Sequence, residues 1–446
     1  MSSNTGGNKS KITIFWFRRD LRLYDNAGLY EALKSSNAVL PLFIFDTDIL
    51  KKLPDKKDKR VVFIHKAILE LQNELMKTGS SMLVMHGKPM SIFKELLSRY
   101  NIASVYANSD YEPETIKRDN EIYALLRSKG VELSLFKDHV IFEKSEIVKD
   151  NGSPFKVFTP YSRAWKKKLN ETKISRYPCE NLKHNFYKTK PFPIPSPEEL
   201  GFSNIEINAP MPVINEDIIW NYHLTRDFPF MNGTSKLSVH LRFGTISIRE
   251  LVQKAMELNE HFLNELIWRD FFMMILYHYP YVADRSFNRK YDYISWRNNE
   301  EEFDKWCKGE TGYPVIDAGM HELNETGFMH NRVRMIVASF LTKHLLIDWR
   351  WGEAYFAGKL LDYELSSNNG NWQWAAGCGC DAVPYFRIFN PYEQAKKYDP
   401  DLIYINKWVK NLNEPDYPAP VVEHVYARER FLELFKSTLE NYREMA

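Results

Sequence analysis

The first part of the chain, from Lys11 to His139, alternates short apolar runs with amphipathic segments. The apolar runs are KITIFWF, AVLPLFIFD, SMLVMHG, SVYANSD and ELSLFKDH, and the segments between them include RVVFIHKAILELQNELMKTG and TIKRDNEIYALLRSKG. Alternating strands and helices are typical of a parallel sheet with right-handed crossovers. We therefore expect residues 11–139 to form an α/β domain around a doubly wound parallel sheet. Its first loop, Arg18 to Asn26, lacks the glycines of a dinucleotide-binding turn, so the main cofactor is expected elsewhere.

The pattern changes in the second half of the chain, where nine of the 11 tryptophans lie beyond Asn215. Segments such as HFLNELIWRDFFMMILYHY and HNRVRMIVASFLTKHLLIDW have broad apolar faces interrupted by charged residues. This pattern indicates helices packed around a polar site, and residues 213–446 are predicted to be all-α. Between them, alternate prolines in KPFPIPSPEEL favour an extended backbone, so residues 140–212 are expected to be an interdomain connector.

Length and composition exclude several classes of protein. A chain of 446 residues is too long for one typical core and predicts two or three domains. The apolar run FFMMILYHYPYV, at 271–282, is too short to span a bilayer, so no membrane helix is expected. Residues 1–10, MSSNTGGNKS, are polar and are predicted to be a disordered tail rather than a secretory signal.

The four cysteines are Cys179, Cys307, Cys378 and Cys380, too few and too scattered for a disulfide framework. We predict free thiols and a cytoplasmic location. No second Cys or His pair lies at zinc-site spacing near Cys378, so no metal site is expected. The net charge of +2 does not by itself indicate a nucleic-acid partner, which must be sought in local patches.

The stretch LDYELSSNNGNWQWAAGCGCDAVPYFRIFNP, residues 361–391, combines acidic residues, an Asn/Gly cluster and two tryptophans. The run Asn368 to Asn371 disfavours an uninterrupted helix and offers amide donors and acceptors. Trp372 and Trp374 are two residues apart, a spacing that points two helical side chains toward different surfaces. One indole is expected to face a ligand pocket and the other the protein interior, which suits electron transfer.

Two other groups of residues are candidates for chemistry. Hydroxyls in GTSKLS, residues 233–238, can cap a helix or receive a phosphate, and taken alone a cap is the more common role. Glu265, Trp268 and Arg269 share one helix face by their spacing, as do Asn331 and Met335. Together they could hold a planar heterocycle such as an extruded base. The alternative is that Trp268 and Met335 are core residues and that Glu265 pairs with an arginine.

The motifs FWFRRDLRLYDN, VFTPYSRAW, GTSKLSVHLRFG, NELIWRDF, TGFMHNRVRM and NNGNWQWA through FRIFNP follow one another along nearly the whole chain. In this combination the chain resembles the DNA photolyases of the photolyase and cryptochrome family. The resemblance implies an N-terminal α/β domain that can hold a light-harvesting antenna. It also implies a helical C-terminal domain that holds FAD in a bent conformation.

The resemblance also assigns cofactor residues. It implies that the flavin phosphates and ribose contact Tyr222, Thr234, Ser235, Leu237 and Ser238. Near the isoalloxazine ring it implies Asp362, Glu364, Asn368 facing flavin N5, and Arg334 paired with Asp362. Family members commonly have Asp where this chain has Glu364, so the contact of that residue is expected to differ. The implied electron-transfer chain, from the flavin to the surface, is Trp372, Trp349 and Trp296.

For the substrate, the chain is similar to class I enzymes that repair cyclobutane pyrimidine dimers at Glu265, Trp268, Asn331, Arg332, Met335 and Trp374. Enzymes for the (6-4) photoproduct carry a histidine pair where this chain has His330 and Asn331. The resemblance implies that photoexcited reduced FAD passes an electron to a flipped dimer, which splits and returns it. Glu265 and Asn331 are then expected to hydrogen-bond the dimer, Trp268 and Trp374 to flank its bases, and Met335 to contact the dimer or the adenine of FAD.

The expected partner is UV-damaged DNA, held through phosphates by a monomer without an obligate protein partner. The candidate DNA contacts are Arg226, Trp268, Arg332, Gln394, Lys396 and Lys397. A lysine such as Lys396 or Lys397 is equally well explained as a solvated surface charge. Binding through phosphates should weaken as salt rises.

The antenna and two other functions stay open. Folate-binding members have a glutamate where Tyr111-Glu112-Pro113-Glu114-Thr115 places Thr115, so a folate antenna is not expected, while a deazaflavin, a second flavin or no antenna remain. A cryptochrome photoreceptor on the same fold is the runner-up. A third alternative is a nucleic-acid or protein-binding module with tryptophans as packing, which predicts a colourless protein.

Overall fold

The computed structural model describes residues 10–382 and 384–445, so that nearly all of the predicted tail lies outside the described residues. The chain divides into two compact units. The α/β unit comprises the chain up to Ile141 together with Lys173–Pro212 and His240–Leu251, and the helical unit comprises Phe142–Thr172, Val213–Val239 and the remainder from Val252.

The segment expected to be a connector is therefore divided between the two units and is partly helical. Helix Phe158–Glu171 lies within it and buries Tyr161, Trp165 and Leu169, which recur at helical spacing. The alternating prolines lie beyond this helix, in a stretch without regular structure. The irregular structure that the prolines indicate is therefore found only in the second part of the expected connector.

The α/β unit contains a five-stranded sheet in the order β3-β2-β1-β4-β5, in which every pair is parallel. The strands are β1 Ile12–Phe17, β2 Ala38–Asp46, β3 Leu83–Gly87, β4 Ile102–Asn108 and β5 Glu132–Phe136. The helices of this unit are α1 Ala27–Lys34, α2 Thr47–Leu50, α3 Lys59–Met76, α4 Pro89–Arg99 and α5 Pro113–Arg127. Every residue of β1 is buried, as expected for a central parallel strand covered on both faces. The predicted α/β fold is confirmed.

The helical unit begins with α6, the helix Phe158–Glu171, and the chain changes unit within α9 and again within α10. The further helices are α7 Glu216–Trp220, α8 Tyr222–Thr225, α9 Ser238–Phe243, α10 Ile248–Leu258, α11 Glu260–His278, α12 Glu300–Lys308, α13 Pro314–Thr326, α14 Asn331–Ser339, α15 Trp349–Lys359, α16 Leu365–Ala376, α17 Pro391–Tyr398, α18 Ile403–Trp408 and α19 His424–Met445. A π-helical turn, Phe340–His344, follows α14. The helical prediction is confirmed for the described part of this unit.

Helix α16 packs very closely against α11 and α15. A Cβ atom at Gly370 would overlap the ring of Phe272 on α11, and one at Gly352 on α15 would overlap the ring of Trp372. The absence of a side chain at these two positions lets the three helices pack together. Helix α16 ends at Gly377, whose φ of 84° favours glycine.

Across the described ranges, no helix combines the length and the apolar character that crossing a bilayer requires.

Candidate functional site

A cleft in the helical unit lies between α14, α15, α16 and the loop before α16. It encloses about 590 Å³, including solvent at its mouth. The residues that line it are Asn331, Arg334, Met335, Ala338, Phe356, Leu360, Asp362, Tyr363, Glu364, Ser367, Asn368, Asn371, Trp372, Trp374 and Ala375. Eight of the residues singled out from the sequence are among them, although they lie on three separate stretches of the chain.

Helix α16 supplies the longest wall of the cleft, and it is continuous from Leu365 to Ala376. The expectation that the Asn/Gly run interrupts the helix is therefore wrong. Asn369 donates a hydrogen bond of 2.8 Å from Nδ2 to the carbonyl of Val282, and Gly370 admits the ring of Phe272. Tertiary contacts thus outweigh the weak helix propensity of these residues.

Both tryptophans of this helix border the cleft, so the two-residue spacing does not separate them completely. Trp372 is 2% exposed and packs edge-on against Phe356, whereas Trp374 is only partly buried. Their side chains differ in burial: Trp372 belongs to the core, as expected for one of the two indoles, and Trp374 is the more exposed one at the cleft. The division is not complete, because Trp372 also borders the cleft.

Opposite charges face each other at one end of the cleft. The guanidinium of Arg334 donates to the carboxylate of Asp362 at 2.9 Å and, through Nε, to the carbonyl of Met329 at 2.8 Å. Glu364 is buried and pairs with Arg269 on α11 at 3.3 Å. The predicted pairing of Arg334 with Asp362 is present, and the longer side chain of Glu364 is directed to an arginine.

Asn368 is oriented by a second carboxylate. Its Nδ2 donates to Oε1 of Glu353 on α15 at 2.9 Å. Burial raises the pKa of Glu353, while the hydrogen bonds from Asn368 and Tyr363 act in the opposite direction. The amide oxygen of Asn368 is thereby distinguished from its nitrogen, because the nitrogen is already committed to Glu353.

Glu265 belongs to a chain of alternating charges. Arg226 donates to Glu265 at 2.5 Å, and Arg332 donates to Asp227 at 2.5 Å, while Arg226 lies 3.8 Å from Asp227. The Nη1 atom of Arg332 lies 3.9 Å from the sulfur of Met335 in the cleft. The pairing of Glu265 with an arginine, considered as an alternative from the sequence, is thus present, and Asp227 joins it to the arginine beside the cleft.

Burial raises the pKa of Glu265, and the positive charge of Arg226 opposes that effect without cancelling it. A carboxyl group in this position retains its proton to a higher pH than one in water.

Two of the predicted DNA contacts, Arg332 and Lys397, meet at Tyr398, at the end of α17. The guanidinium of Arg332 lies 4.4 Å from the centre of this ring, and the ammonium of Lys397 lies 5.1 Å from it. Lys396 is exposed and Gln394 is half-buried on the same helix. Arg332 and Lys397 are thus brought together by an aromatic ring that sequence reasoning did not identify.

Trp268 does not present both ring faces to a ligand. Its indole stacks on Phe158 with ring centroids 3.7 Å apart and planes inclined by 3°. Phe272, one turn later on α11, lies 5.4 Å away. Of the two tryptophans expected to flank a base, Trp374 borders the cleft and Trp268 belongs to an aromatic group beside α6.

The residues assigned to the flavin phosphates lie outside the lining of the cleft. Ser235 accepts a hydrogen bond from the backbone N–H of Leu237 at 3.4 Å, and Leu237 is buried. Thr234 is half-buried and Ser238, the first residue of α9, is exposed. The ring of Tyr222 lies 5.4 Å from the guanidinium of Arg226. The hydroxyls in this group therefore remain accessible.

The expected electron-transfer tryptophans differ in burial along the chain. Trp349 is 1% exposed and belongs with Trp372 to the core of the helical unit. Trp296 is only partly buried and packs against that core, with Phe435 at 6.0 Å. The order of burial fits a route from the interior to the surface.

The chemistry of the cleft fits a flavin. A flat heterocycle with amide edges needs aromatic surface together with hydrogen-bond donors and acceptors, and the cleft offers both. Trp372 and Trp374 supply the surface, Asn368 and Asn371 supply amides, and Asp362 supplies an acceptor that Arg334 orients. The small side chains of Ala338 and Ala375 leave room between them. In the described part of the chain, no cluster of three His, Cys, Asp or Glu side chains is arranged for a metal ion.

Sequence reasoning missed several residues that position the site. Phe158, Asp227, Glu353 and Tyr398 each contact a residue that the motifs singled out, and Tyr363 hydrogen-bonds Glu353. Phe158 lies within VFTPYSRAW and Asp227 follows Arg226 directly, so the motifs marked their neighbourhood. Glu353 lies on a different helix from Asn368, 15 residues away, and Tyr398 follows Lys397 directly but is far in sequence from Arg332.

In the α/β unit, Glu112 is already engaged by the protein. Its carboxylate accepts hydrogen bonds of 2.8 Å from both Arg19 and Arg242, and its residue precedes α5 as the N-cap. These two guanidinium partners fix the position of the carboxylate.

Comparisons with known proteins match most of the chain to one family. The family model described as DNA photolyase matches residues 13–180, and the one described as the FAD binding domain of DNA photolyase matches residues 262–416. The deoxyribodipyrimidine photo-lyase of Alkalihalophilus pseudofirmus is 34% identical, over 96% of this chain and 99% of that protein.

Two solved structures are also similar. A bacterial class III photolyase from Agrobacterium tumefaciens has a TM-score of 0.84 and 31% identity, covering 98% of this chain and 100% of that one. An archaeal photolyase from Sulfolobus tokodaii, solved with two FAD molecules, has a TM-score of 0.80 and 35% identity, covering 96% of this chain and 100% of that one.

Proposed function

The chain belongs to the photolyase and cryptochrome family, and on that premise we propose that it is a deoxyribodipyrimidine photo-lyase that repairs cyclobutane pyrimidine dimers in DNA with light. The observation that carries the proposal is the cleft. Residues from three separate stretches, among them Asn331, Asp362 and Trp374, converge on one space of about 590 Å³. The combination of aromatic surface, amides and an oriented carboxylate supports a flavin and a flat substrate together.

FAD, bound in its reduced form and excited by light, would supply one electron to the dimer and receive it back after the ring has split. The protein would hold it through Asp362, which Arg334 fixes, and through the amide oxygen of Asn368, whose nitrogen is bound to Glu353. The exposed Ser238 and the half-buried Thr234 would receive its phosphates. Tyr222, Ser235 and Leu237 complete the proposed phosphate and ribose contacts.

On the substrate side, Glu265 would stabilise the negative charge that develops on the dimer. It would hydrogen-bond the carbonyl or imide edge of the dimer, and Arg226, held 2.5 Å from it, brings positive charge to the same place. Asn331 is exposed at the start of α14 and can approach the same substrate. Met335 would provide apolar contact, and Trp374 would stack on one base. Trp268 would meet the dimer by the part of its ring that Phe158 leaves uncovered.

DNA would be bound through its phosphates by Arg226, Arg332, Lys396 and Lys397, with Gln394 as a polar contact. Arg226 and Arg332 are already paired with acidic groups, so their net attraction for phosphate depends on exchanging those partners. The affinity should fall as the salt concentration rises, because phosphate contacts release bound counterions. Damaged bases cost less to flip out of the helix, which favours the dimer over intact DNA.

We also propose that the protein is a class I enzyme and that its substrate is the cyclobutane lesion. It is supported by the side chains at Glu265, Trp268, Asn331 and Met335, and by His330 being followed by Asn331 rather than by a second histidine. The similarity to a class III structure over 98% of the chain means that the overall fold does not separate the classes. The proposed chain of Trp372, Trp349 and Trp296 would return oxidised flavin to the reduced state.

The test uses two oligonucleotides, one with a single cyclobutane thymine dimer and one with a single (6-4) photoproduct. FAD-loaded, reduced protein is incubated with each under blue light and in darkness, and the products are separated by chromatography. Light-dependent conversion of the cyclobutane substrate alone is the expected result. Conversion of the (6-4) photoproduct instead would show that this lesion, and not the cyclobutane dimer, is the substrate. A flavin-loaded protein that converts neither would favour a cryptochrome.

We further propose that the protein acts as a monomer in the cytoplasm and carries no folate antenna. The free thiols of all four cysteines suit a reducing compartment, and Glu112 is occupied by two arginines. Size-exclusion chromatography with light scattering tests the monomer. A folate-type fluorescence band released by denaturing the purified protein would contradict the antenna proposal.

A further inference from the structure

Asp227 lies between two arginines to which the proposed function assigns DNA phosphates. Its Oδ1 accepts a hydrogen bond of 2.5 Å from Nη2 of Arg332, and the same oxygen lies 3.8 Å from Nε of Arg226. Arg226 in turn donates to Glu265 at 2.5 Å. When both carboxyl groups are ionised, the two guanidinium groups and the two carboxylates carry no net charge together. In the free protein these four groups therefore give DNA little long-range attraction.

We propose that Asp227 occupies the position of a DNA phosphate in the free protein and thereby sets how strongly the protein discriminates dimer-containing DNA from intact DNA. This inference rests on the proposed photolyase function. A carboxylate and a phosphate offer a guanidinium the same sign of charge and the same kind of acceptor oxygen. The two groups therefore compete for Arg226 and Arg332.

The exposure of the four side chains shows which charge DNA meets first. In both ion pairs the carboxylate is more exposed than its arginine. The side chain of Asp227 is 39% exposed and that of Arg332 is 15% exposed, while Glu265 and Arg226 are 34% and 29% exposed. An intact duplex reaches the more exposed groups, so its phosphates meet the carboxylate of Asp227 before they meet Arg332. Like charges repel, and Asp227 therefore opposes the binding of intact DNA.

Arg332 keeps its position when Asp227 moves away. Its guanidinium lies 4.4 Å from the centre of the Tyr398 ring, and its Nη1 lies 3.9 Å from the sulfur of Met335. Its Nε is buried and has no hydrogen-bond acceptor among the described residues. The aromatic contact holds the guanidinium, and its donors are not all used by Asp227. The arginine can therefore accept a phosphate in place of the carboxylate.

Extrusion of a dimer favours this exchange of partners. Arg332 directly follows Asn331, which lines the cleft, and shares α14 with Met335, another lining residue. A nucleotide flipped into the cleft brings its own backbone toward this arginine, and its phosphate can then displace Asp227. A partly exposed ion pair contributes little, so giving it up costs little. Asp227 thus opposes intact DNA by repulsion and opposes the dimer complex only by the small cost of the exchange.

The test is binding of FAD-loaded protein, in darkness, to two fluorescent duplexes of one sequence, one intact and one with a single thymine dimer. Asp227→Asn removes the charge and keeps the size of the side chain. The affinity for the intact duplex should rise about threefold or more at low salt, and that for the dimer duplex should rise less. For intact DNA, the slope of log affinity against log salt should steepen by about 0.9 for each arginine that gains a phosphate.

Asp304→Asn is the matched control. Asp304 is also an exposed carboxylate of the helical unit, paired with Lys308 on α12 at 2.6 Å, and its substitution changes the net charge by the same amount. The ratio of the two affinities and the salt slope should stay as in the parent. Asp227→Glu keeps the charge and should also stay close to the parent. Equal effects of Asp304→Asn and Asp227→Asn would overturn the proposal, because net charge alone would then explain them.

Equal gains for the two duplexes in Asp227→Asn would also overturn the proposal, since Asp227 would then weaken all binding without discriminating. So would a loss of affinity for the dimer duplex with an unchanged salt slope, because Asp227 would then serve only to orient Arg332. Far-UV circular dichroism and the flavin spectrum establish that each variant is folded and loaded.

The same samples, reduced and illuminated with blue light, separate this inference from the function on which it rests. A parent protein that binds the dimer duplex but does not repair it would reject the proposed function. A parent that repairs the dimer, together with an Asp227→Asn variant whose ratio of affinities is unaltered, would reject only the role of Asp227.

Discussion

Trp268 and Phe158 stack face to face with their ring centroids 3.7 Å apart and their planes inclined by 3°. This contact joins α11 to the start of α6, and it covers one face of an indole expected to lie beside a flipped base. Trp268 is consequently held in one orientation before any substrate arrives. The structural role of this tryptophan and its proposed substrate role are compatible, because Phe158 fixes the ring while Trp268 as a whole is only half-buried.

Phe158→Leu should loosen Trp268 without unfolding the protein. Losing an aromatic pair costs about 0.5–1.5 kcal/mol beyond the lost area, so a fall of a few degrees in Tm is expected. The affinity for dimer-containing DNA should fall more than the affinity for undamaged DNA, as measured by titration of fluorescent oligonucleotides. Phe155→Leu, which loses only an edge contact with Tyr161 at 6.2 Å, is the control. Equal losses for both DNAs would show that Trp268 does not contact the lesion.

Glu265→Ala should lower the efficiency of dimer repair while leaving FAD bound. A hydrogen bond to a charged group contributes about 1.5–3 kcal/mol, which corresponds to about tenfold or more in the rate of the assisted step. Glu265→Gln keeps a hydrogen-bond donor and should retain more activity than Glu265→Ala. Repair per absorbed photon and the flavin content are measured on the same samples. A variant that loses FAD together with repair would mean that Glu265 serves the cofactor rather than the dimer.

Gly370→Ala should destabilise the protein although it lies within a helix. Alanine is normally favoured over glycine there by about 1 kcal/mol, but the new methyl group would overlap the ring of Phe272. Overpacking of this kind costs about 1–3 kcal/mol. Gly358→Ala in α15 is the matched control, since nothing lies within 4 Å of its Cβ position, and it should be neutral or stabilising. Urea denaturation of both variants gives the comparison, and a stabilised Gly370→Ala protein would refute the close contact.

Lys343 should make stability depend on pH in a definite direction. Its ammonium is buried and donates to the carbonyl of Arg387 at 2.9 Å, and burial lowers its pKa from 10.5 to about 7. Between about pH 7 and 10.5 the unfolded chain binds more protons at this site than the folded protein, so the site's contribution to stability rises with pH. Thermal unfolding of the parent and of Lys343→Met is compared across that range. The difference in Tm between parent and variant should move in favour of the parent as pH rises, and a constant difference would contradict the lowered pKa.

The fold follows from patterns that are local in the sequence. Alternation of KITIFWF-like runs with amphipathic segments leads to the parallel sheet, because central strands of such a sheet are buried on both faces. The helical unit follows from broad apolar faces in segments such as the one that forms α11. Helix α16 was not foreseen as continuous, because its stability depends on Val282 and Phe272, which are distant in sequence.

The candidate site, like the fold, could be predicted from the sequence only in part. Residues within motifs, such as Asn331 and Trp374, could be singled out, and the cleft brings them together. Their partners could not be identified, because contacts such as Asn368 with Glu353 depend on how two helices pack. The spacing of residues in the sequence could not decide between two interpretations of Glu265, as a partner of an arginine or as a residue of the pocket. The distance of 2.5 Å to Arg226 establishes the pairing.

The most direct test of the account is the recovery of thymine absorbance from an oligonucleotide that carries one cyclobutane thymine dimer. Purified protein, loaded with FAD and fully reduced, is illuminated with blue light, and a dark sample and a flavin-free sample are followed in parallel. The account predicts recovery in the illuminated, flavin-loaded sample alone. Absence of recovery there, with the flavin bound and reduced, would contradict dimer repair as the function of this chain.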